Sequence, residues 1–155
     1  MRFAKKVYLA QIITYGFLLT LLSLTVLFTA GLFMVSKVGH ISPDKALDYA
    51  IILVLMIVAS AISLGFIFLL IFQLVTSIKL YKSLNISALS FLQHKKSRVI
   101  NSTFGIISII AGIITSVLMT NPLLICITAI LPTTILTFLI LDKTALSKIK
   151  KEQNL

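Results

Sequence analysis

Four long apolar segments, separated by short polar connections, dominate the hydrophobic pattern of the chain. They cover residues 7–35, 49–78, 99–119 and 123–141. A helix needs about 20 apolar residues to cross the hydrocarbon core of a bilayer. Each segment is therefore long enough for one crossing, and none is long enough for two crossings and a turn. The pattern predicts an all-α, integral membrane four-helix bundle.

The connections predict how these helices are paired. Ser42-Pro43-Asp44 has the residue types of a helix start, which places the beginning of the second helix near Pro43. Thr120-Asn121-Pro122 predicts a tight turn between the third and fourth helices. Two antiparallel helical hairpins follow. Pro132 is expected to kink the fourth helix, because proline removes one backbone hydrogen bond.

Composition supports lipid as the main solvent of the chain. Only 12% of its residues are charged and 59% are hydrophobic, whereas soluble domains carry about 25% charged residues. A soluble domain of this size needs a polar exterior that these residues cannot supply. We expect a single membrane domain over residues 1–155. The apolar region of a signal peptide has about 7–15 residues, and the first segment is much longer, so we expect a retained helix.

The basic residues predict the orientation. The net charge is +10, and all but Lys37 and Lys45 of the 14 Lys and Arg residues fall before the first segment, in the loop 79–98 or in the basic tail 142–155. The positive-inside rule places both termini and this loop in the cytoplasm. A nucleic-acid-binding protein would carry such charge on a polar domain, so we expect no nucleic acid partner.

The cytoplasmic loop has apolar residues at helical spacing, among them Leu84, Ala88 and Phe91. It is either a short amphipathic helix at the membrane interface or a loop whose apolar residues cover the helix ends. Basic side chains on this face are expected to contact anionic lipid headgroups. The predicted contacts are Lys79, Lys82, Lys95, Lys96, Arg98, Lys148, Lys150 and Lys151.

Candidates for catalysis or metal binding are lacking in the sequence. The apolar segments contain no Asp, Glu, Lys, Arg or His, although proton and ion pathways usually keep such residues. The two histidines, His40 and His94, are predicted on opposite faces of the membrane, and Cys126 is the single cysteine. We expect no catalytic residues, no metal, no cofactor and no enzyme activity.

Uncharged polar residues occur at similar depth in the first two helices: Gln11, Thr14 and Tyr15 in one, and Gln73, Thr76 and Ser77 in the other. They either join the helices by hydrogen bonds or line a polar vestibule open to the cytoplasm. Small residues spaced to allow close helix packing form a second set, which serves either the bundle itself or a dimer or partner interface. This set is Ala61, Gly65, Gly105, Ser108, Gly112 and Ser116.

The first two apolar segments are longer than a bilayer requires. The excess is expected around residues 32–38 and 46–54. Tilting of the helices absorbs such an excess. Alternatively, an apolar hairpin projects outward and needs a partner to cover it.

The stretch Phe72-Gln73-Leu74, Lys79-Leu80, Lys82, Ile86-Ser87 and Lys95-Lys96 resembles an uncharacterised family of small four-helix bacterial membrane proteins. Ile86 replaces the aromatic residue of that family, and the acidic and glycine positions of its loop are missing. The resemblance implies the topology and a bacterial plasma membrane. It implies no biochemical activity.

Together these features favour a non-enzymatic protein that acts through a protein or peptide partner in the membrane. It would be an accessory subunit, or an immunity-type protein that protects against a membrane-active peptide (a bacteriocin). The alternative is a small transporter or pore-forming subunit, in which Ser, Thr and Gln side chains line a path after oligomerisation.

Overall fold

The computed structural model describes residues 1–36, 46–118 and 122–153. These ranges form five α-helices: α1 (Arg2–Ser36), α2 (Ala46–Ile86), α3 (Ala88–Gln93), α4 (Lys95–Leu118) and α5 (Pro122–Glu152). Four of them are long and apolar enough to cross a membrane. The prediction of an all-helical, multi-pass membrane protein is confirmed at this level. Ser42-Pro43-Asp44 and the pair Thr120-Asn121 lie outside the described residues.

The helices continue past the apolar segments that predicted them. α2 extends to Ile86 and α5 to Glu152, so most of the predicted basic tail is helical. The reason is that apolar residues keep recurring at helical spacing beyond each apolar segment. Leu80 and Leu84 of α2, and Ala145 and Ile149 of α5, are buried in one hydrophobic core.

The chain divides into two compact units. Unit 1 comprises Met1–Leu18 and Leu69–Leu155, and unit 2 comprises Leu19–Phe68. The buried side chains that the structure describes all lie in unit 1. In unit 2 the described side chains are exposed or half-buried, although this part of the chain is strongly apolar. The packing that defines a bundle therefore belongs to unit 1.

The hydrophobic core of unit 1 is built from the ends of three long helices and from α3. Its members are Ala4, Tyr8, Leu80, Leu84, Ala88, Phe91, Ala145 and Ile149. The short helix α3 begins at its N-cap Ser87, whose hydroxyl accepts a hydrogen bond from the Ser90 amide at 3.0 Å. The loop between α2 and α4 is therefore a short helix, and its residues Ala88 and Phe91 also cover the core.

Two glycines bring α4 and α5 together. A Cβ atom added at Gly105 would lie 3.0 Å from a methyl carbon of Leu139, and one added at Gly112 would lie 3.0 Å from the Pro132 ring. The contacts run in opposite directions along the two helices, so α4 and α5 are antiparallel where they touch. Pro132 lies inside α5, and its ring fills the space that the missing Gly112 side chain leaves open.

Replacing Gly112 with alanine is expected to lower the free energy of unfolding by about 1–2 kcal/mol. Overpacking a tight contact costs about 1–3 kcal/mol, and the higher helix propensity of alanine offsets part of this loss of stability. The proline ring cannot turn away from the new methyl group, whereas the Leu139 side chain opposite Gly105 can change rotamer. Thermal unfolding in detergent should therefore rank Gly112→Ala below Gly105→Ala.

The matched control for this pair is Gly65→Ala. A Cβ atom at Gly65 meets no described atom within 4 Å, so this substitution should leave the melting temperature unchanged or raise it slightly. Equal losses at Gly65 and Gly112 would contradict the role of the α4–α5 contact.

Candidate functional site

A layer of polar side chains crosses the interior of unit 1, and one turn of α2 organises it. Gln73 Nε2 donates to Ser108 Oγ at 3.2 Å. The Thr76 hydroxyl lies 3.0 Å from Asn101 Oδ1, and the Ser77 hydroxyl donates to Gln11 Oε1 at 3.1 Å. We call these six residues the polar layer. Through it α2 is hydrogen-bonded to both α1 and α4.

The positions of these residues follow from the spacing of buried side chains. Buried positions recur at alternating steps of three and four along each long helix, which is the spacing of packed helices. In α2 they include Leu70, Gln73, Ser77, Leu80 and Leu84, with Thr76 and Ser83 buried beside them. In α1 they include Ala4, Tyr8, Gln11 and Tyr15. Polar residues of the layer thus occupy places where a soluble bundle would have leucine.

Burial distinguishes between the two interpretations of the polar residues in α1 and α2, namely interhelical hydrogen bonds and an open vestibule. Gln73, Ser77 and Ser108 are fully buried, and Gln11 is nearly so. In this structure they form hydrogen bonds between helices and do not line an open vestibule. Such bonds contribute about 0.6 kcal/mol each on average in membrane proteins.

A buried carboxylate lies beside the layer. The Tyr8 hydroxyl donates a hydrogen bond to Asp142, and these residues are 0% and 7% exposed. The apolar pattern of the sequence predicts Asp142 in the C-terminal tail, outside any apolar segment. α5 instead carries it into the bundle, within the candidate span Ala129–Glu152. Asp142 is therefore an ionisable side chain within a candidate spanning helix, where the apolar segments predict none.

The missed signal was the helical spacing around Asp142. The buried positions of α5 include Ile135, Phe138, Asp142, Ala145 and Ile149, with the same steps of three and four as in α2. Asp142 directly follows an apolar segment, so segment length alone placed it outside. Its register with Phe138 and Ala145 places it on the buried face.

Arg98 connects α3 to this region. Its guanidinium donates to the backbone carbonyls of Phe91 and Leu92, the second at 3.1 Å, and lies 4.9 Å from the centre of the Phe91 ring. The Phe91 ring meets the Tyr8 ring edge-on at 5.7 Å. Contacts thus run from Arg98 through Phe91 and Tyr8 to Asp142. Of the predicted lipid contacts, Arg98 is half-buried, whereas the lysines are exposed.

The predicted lipid-contacting lysines are exposed: Lys79, Lys82, Lys95, Lys96, Lys148, Lys150 and Lys151. Lys148 also lies 4.2 Å from the centre of the Phe3 ring. Glu152 pairs with the Met1 ammonium at 2.6 Å, which places the beginning of α1 beside the end of α5. With Glu152 paired and Asp142 buried, these lysines form a strongly positive surface.

The predicted packing residues separate into two groups. Gly105 and Gly112 face α5, Ser108 belongs to the polar layer, and Ser116 is half-buried and donates to the Gly112 carbonyl at 2.9 Å. In α2 the outcome differs. Ala61 and Gly65 are exposed, so the same local pattern does not serve the bundle there.

The chemistry of the site is that of hydrogen bonding. Its groups are amides and hydroxyls with one carboxylate, and a nucleophile activated by a neighbouring base is not among them. Within residues 1–36, 46–118 and 122–153 there is no group of three His, Cys, Asp or Glu side chains that could hold a metal ion. This arrangement can fix helices relative to one another and can bind small polar groups.

Comparison with family models, with curated proteins and with solved structures found no match to this chain. The resemblance of residues 72–96 to a family of small bacterial membrane proteins therefore stays a prediction. Function has to be argued from the residues of the chain itself.

Proposed function

We propose that this chain is a non-enzymatic protein of the bacterial plasma membrane that acts by binding a protein or peptide partner within the bilayer. It serves as an accessory subunit or as an immunity-type protein against a membrane-active peptide. The observation that carries the proposal is the exposure of Ala61 and Gly65, which have the spacing of close helix packing; a Cβ atom added at Gly65 would meet no described atom within 4 Å.

The surroundings of these two residues support a helical partner. Large exposed apolar side chains precede and follow Ala61 and Gly65 along α2 at steps of three and four. Ile51, Val54 and Val58 lie before them and Phe68 lies after them. A small centre flanked by larger side chains lets another helix approach closely, and close approach is what drives association in lipid. α1 adds exposed residues at similar steps, among them Leu21, Leu24 and Phe28.

The proposed orientation has both termini cytoplasmic, with two antiparallel hairpins. The lysine-rich surface of unit 1 would then contact anionic headgroups, at about 1 kcal/mol per residue near the membrane. The ion pair between Met1 and Glu152 supports an even number of crossings, since it brings the first and last helices together at one end. A fluorescent protein fused after Leu155 should fold and fluoresce in the cytoplasm.

The test of the proposed function is Gly65→Leu. The full-length protein, purified from its host membrane in mild detergent, should carry a stoichiometric protein or peptide that this variant loses. The open space around Gly65 means that the melting temperature of the variant alone should stay close to that of the parent. Leu64→Phe adds bulk at a neighbouring exposed position and should retain the partner.

Two outcomes would contradict the proposal. One is a clean monomer without any partner, and the other is a partner retained equally by Gly65→Leu. The immunity role has its own assay, because expression in a sensitive bacterium should protect it from the cognate peptide. Without protection, a recovered partner would indicate the accessory role.

The second candidate is a small transporter or pore subunit, and the polar layer with the nearby Asp142 favours it. Buried polar and ionisable groups within spanning helices are often part of a transport path. Reconstitution into liposomes decides between the two candidates. Solute-dependent flux that Asp142→Asn reduces would favour transport, and absence of flux would remove this candidate.

A further inference from the structure

One atom of the polar layer has no hydrogen-bond partner. Gln73 Oε1 is fully buried, and no described residue donates to it. The other end of the same amide is satisfied, because Nε2 donates to Ser108 Oγ. A buried carbonyl oxygen without a donor is costly, and surrounding lipid offers no hydrogen bond in place of water.

Rotating the amide by half a turn does not solve the problem. The Ser108 hydroxyl donates its hydrogen to the Phe104 carbonyl at 2.8 Å, and a hydroxyl has one hydrogen to give. A rotated Gln73 would therefore place its oxygen beside a group with nothing left to donate. It would also direct two N–H groups to the position where the oxygen now lies. The described orientation is the better one.

The layer as a whole is poor in donors. The Thr76 hydroxyl lies within 3.0 Å of three acceptors, namely the carbonyls of Phe72 and Gln73 and the Oδ1 atom of Asn101. It can satisfy one of them at a time. The Ser77 hydrogen is used by Gln11. Gln73 Oε1 thus has no donor among the described residues, and Asn101 Oδ1 competes with two backbone carbonyls for the Thr76 hydrogen.

We propose that the polar layer binds a water molecule between α2 and α4, which donates one hydrogen to Gln73 Oε1 and has its second available for Asn101 Oδ1. Water is small and neutral, and it has two hydrogens to donate. Ordered waters that satisfy buried polar groups occur about once per 27 residues in globular proteins. A lipid chain or a partner protein cannot reach an atom that is fully buried.

This inference does not depend on the proposed partner. With the water bound, the polar layer joins α2 to α4 through a water-mediated contact as well as through direct hydrogen bonds. The water would also lie in the same buried region of unit 1 as the Tyr8–Asp142 pair.

Crystals grown in a lipid mesophase, at a resolution that shows ordered water, test the proposal directly. Density at hydrogen-bond distance from Gln73 Oε1 is expected, and it should vanish in Gln73→Leu. An empty space there would overturn the proposal, as would an Asn101 amide turned to donate directly to Gln73. A thallium peak at this position in soaked crystals would also overturn the proposal, because it would show that a monovalent cation binds there and not water.

Solid-state NMR in bilayers gives a second readout that does not need crystals. Magnetisation started on water protons should reach the side-chain carbonyl carbon of Gln73, identified by its loss in Gln73→Leu. The side chain of Leu70 is the control, because it is buried one turn away on the same helix and is apolar. Transfer to neither residue, with normal transfer to exposed Gln93, would overturn the proposal.

Discussion

Replacing Phe91 with alanine is expected to lower the free energy of unfolding by about 3–5 kcal/mol, the usual cost of removing a fully buried phenylalanine side chain. The ring is 0% exposed and touches both the Tyr8 ring and the Arg98 guanidinium. Its loss would open a cavity between α3 and the ends of the long helices. Thermal unfolding in detergent, followed by circular dichroism, measures the effect.

The control lies two residues away on the same short helix. Leu89 is 57% exposed, and exposed substitutions usually change stability by less than about 0.5 kcal/mol. Leu89→Ala should therefore unfold like the parent. Trypsin adds a local readout, because release of α3 by Phe91→Ala should speed cleavage after Lys95 and Lys96. Similar losses for both variants would mean that α3 is not anchored through Phe91.

The spanning helices could be predicted because membrane insertion depends on segment length and hydropathy. Both are read directly from the sequence. The ends of the helices were harder to predict, because a helix continues for as long as it has a face to bury. Leu84 in α2 and Ile149 in α5 lie beyond the apolar segments, yet both belong to the core. Their spacing of four residues from Leu80 and Ala145 is the pattern that indicates the longer helices.

Which face of a helix meets which neighbour could not be predicted from local pattern. Ala61-xxx-Gly65 and Gly105 with Gly112 are all small residues at packing spacing, but among the described residues the α4 glycines contact α5 whereas Ala61 and Gly65 are exposed. Spacing permits close approach and does not say what lies opposite. The partners of Gln73 and Thr76 were unpredictable for the same reason, because the sequence pairs α2 with α1 and does not indicate that Ser108 and Asn101 of α4 lie opposite.

Asp142 is the residue that the structure changes most. Read from the sequence it was one of four scattered acids; in the bundle it is a buried acceptor bonded to Tyr8. The other buried polar side chains that the structure describes are uncharged amides and hydroxyls. The contribution of Asp142 can be measured without knowing the partner or solute.

Replacing Tyr8 with phenylalanine is expected to destabilise the protein by about 1–3 kcal/mol, the cost of leaving a buried acceptor without its hydrogen bond. The substitution keeps the buried ring and removes only the hydroxyl that donates to Asp142. Tyr15→Phe is the matched control, since Tyr15 is equally buried on α1 but contacts the Phe138 ring. It should cost less.

A double-mutant cycle tests whether the Tyr8 effect acts through Asp142. Removing both polar partners avoids an unsatisfied buried group, and such double replacements are often nearly neutral. Tyr8→Phe combined with Asp142→Leu should therefore be more stable than Tyr8→Phe alone. If the cost of Tyr8→Phe were the same in the Asp142→Leu background, the two residues would be uncoupled. In that case the buried pair could not be what joins α1 to α5 beside the polar layer.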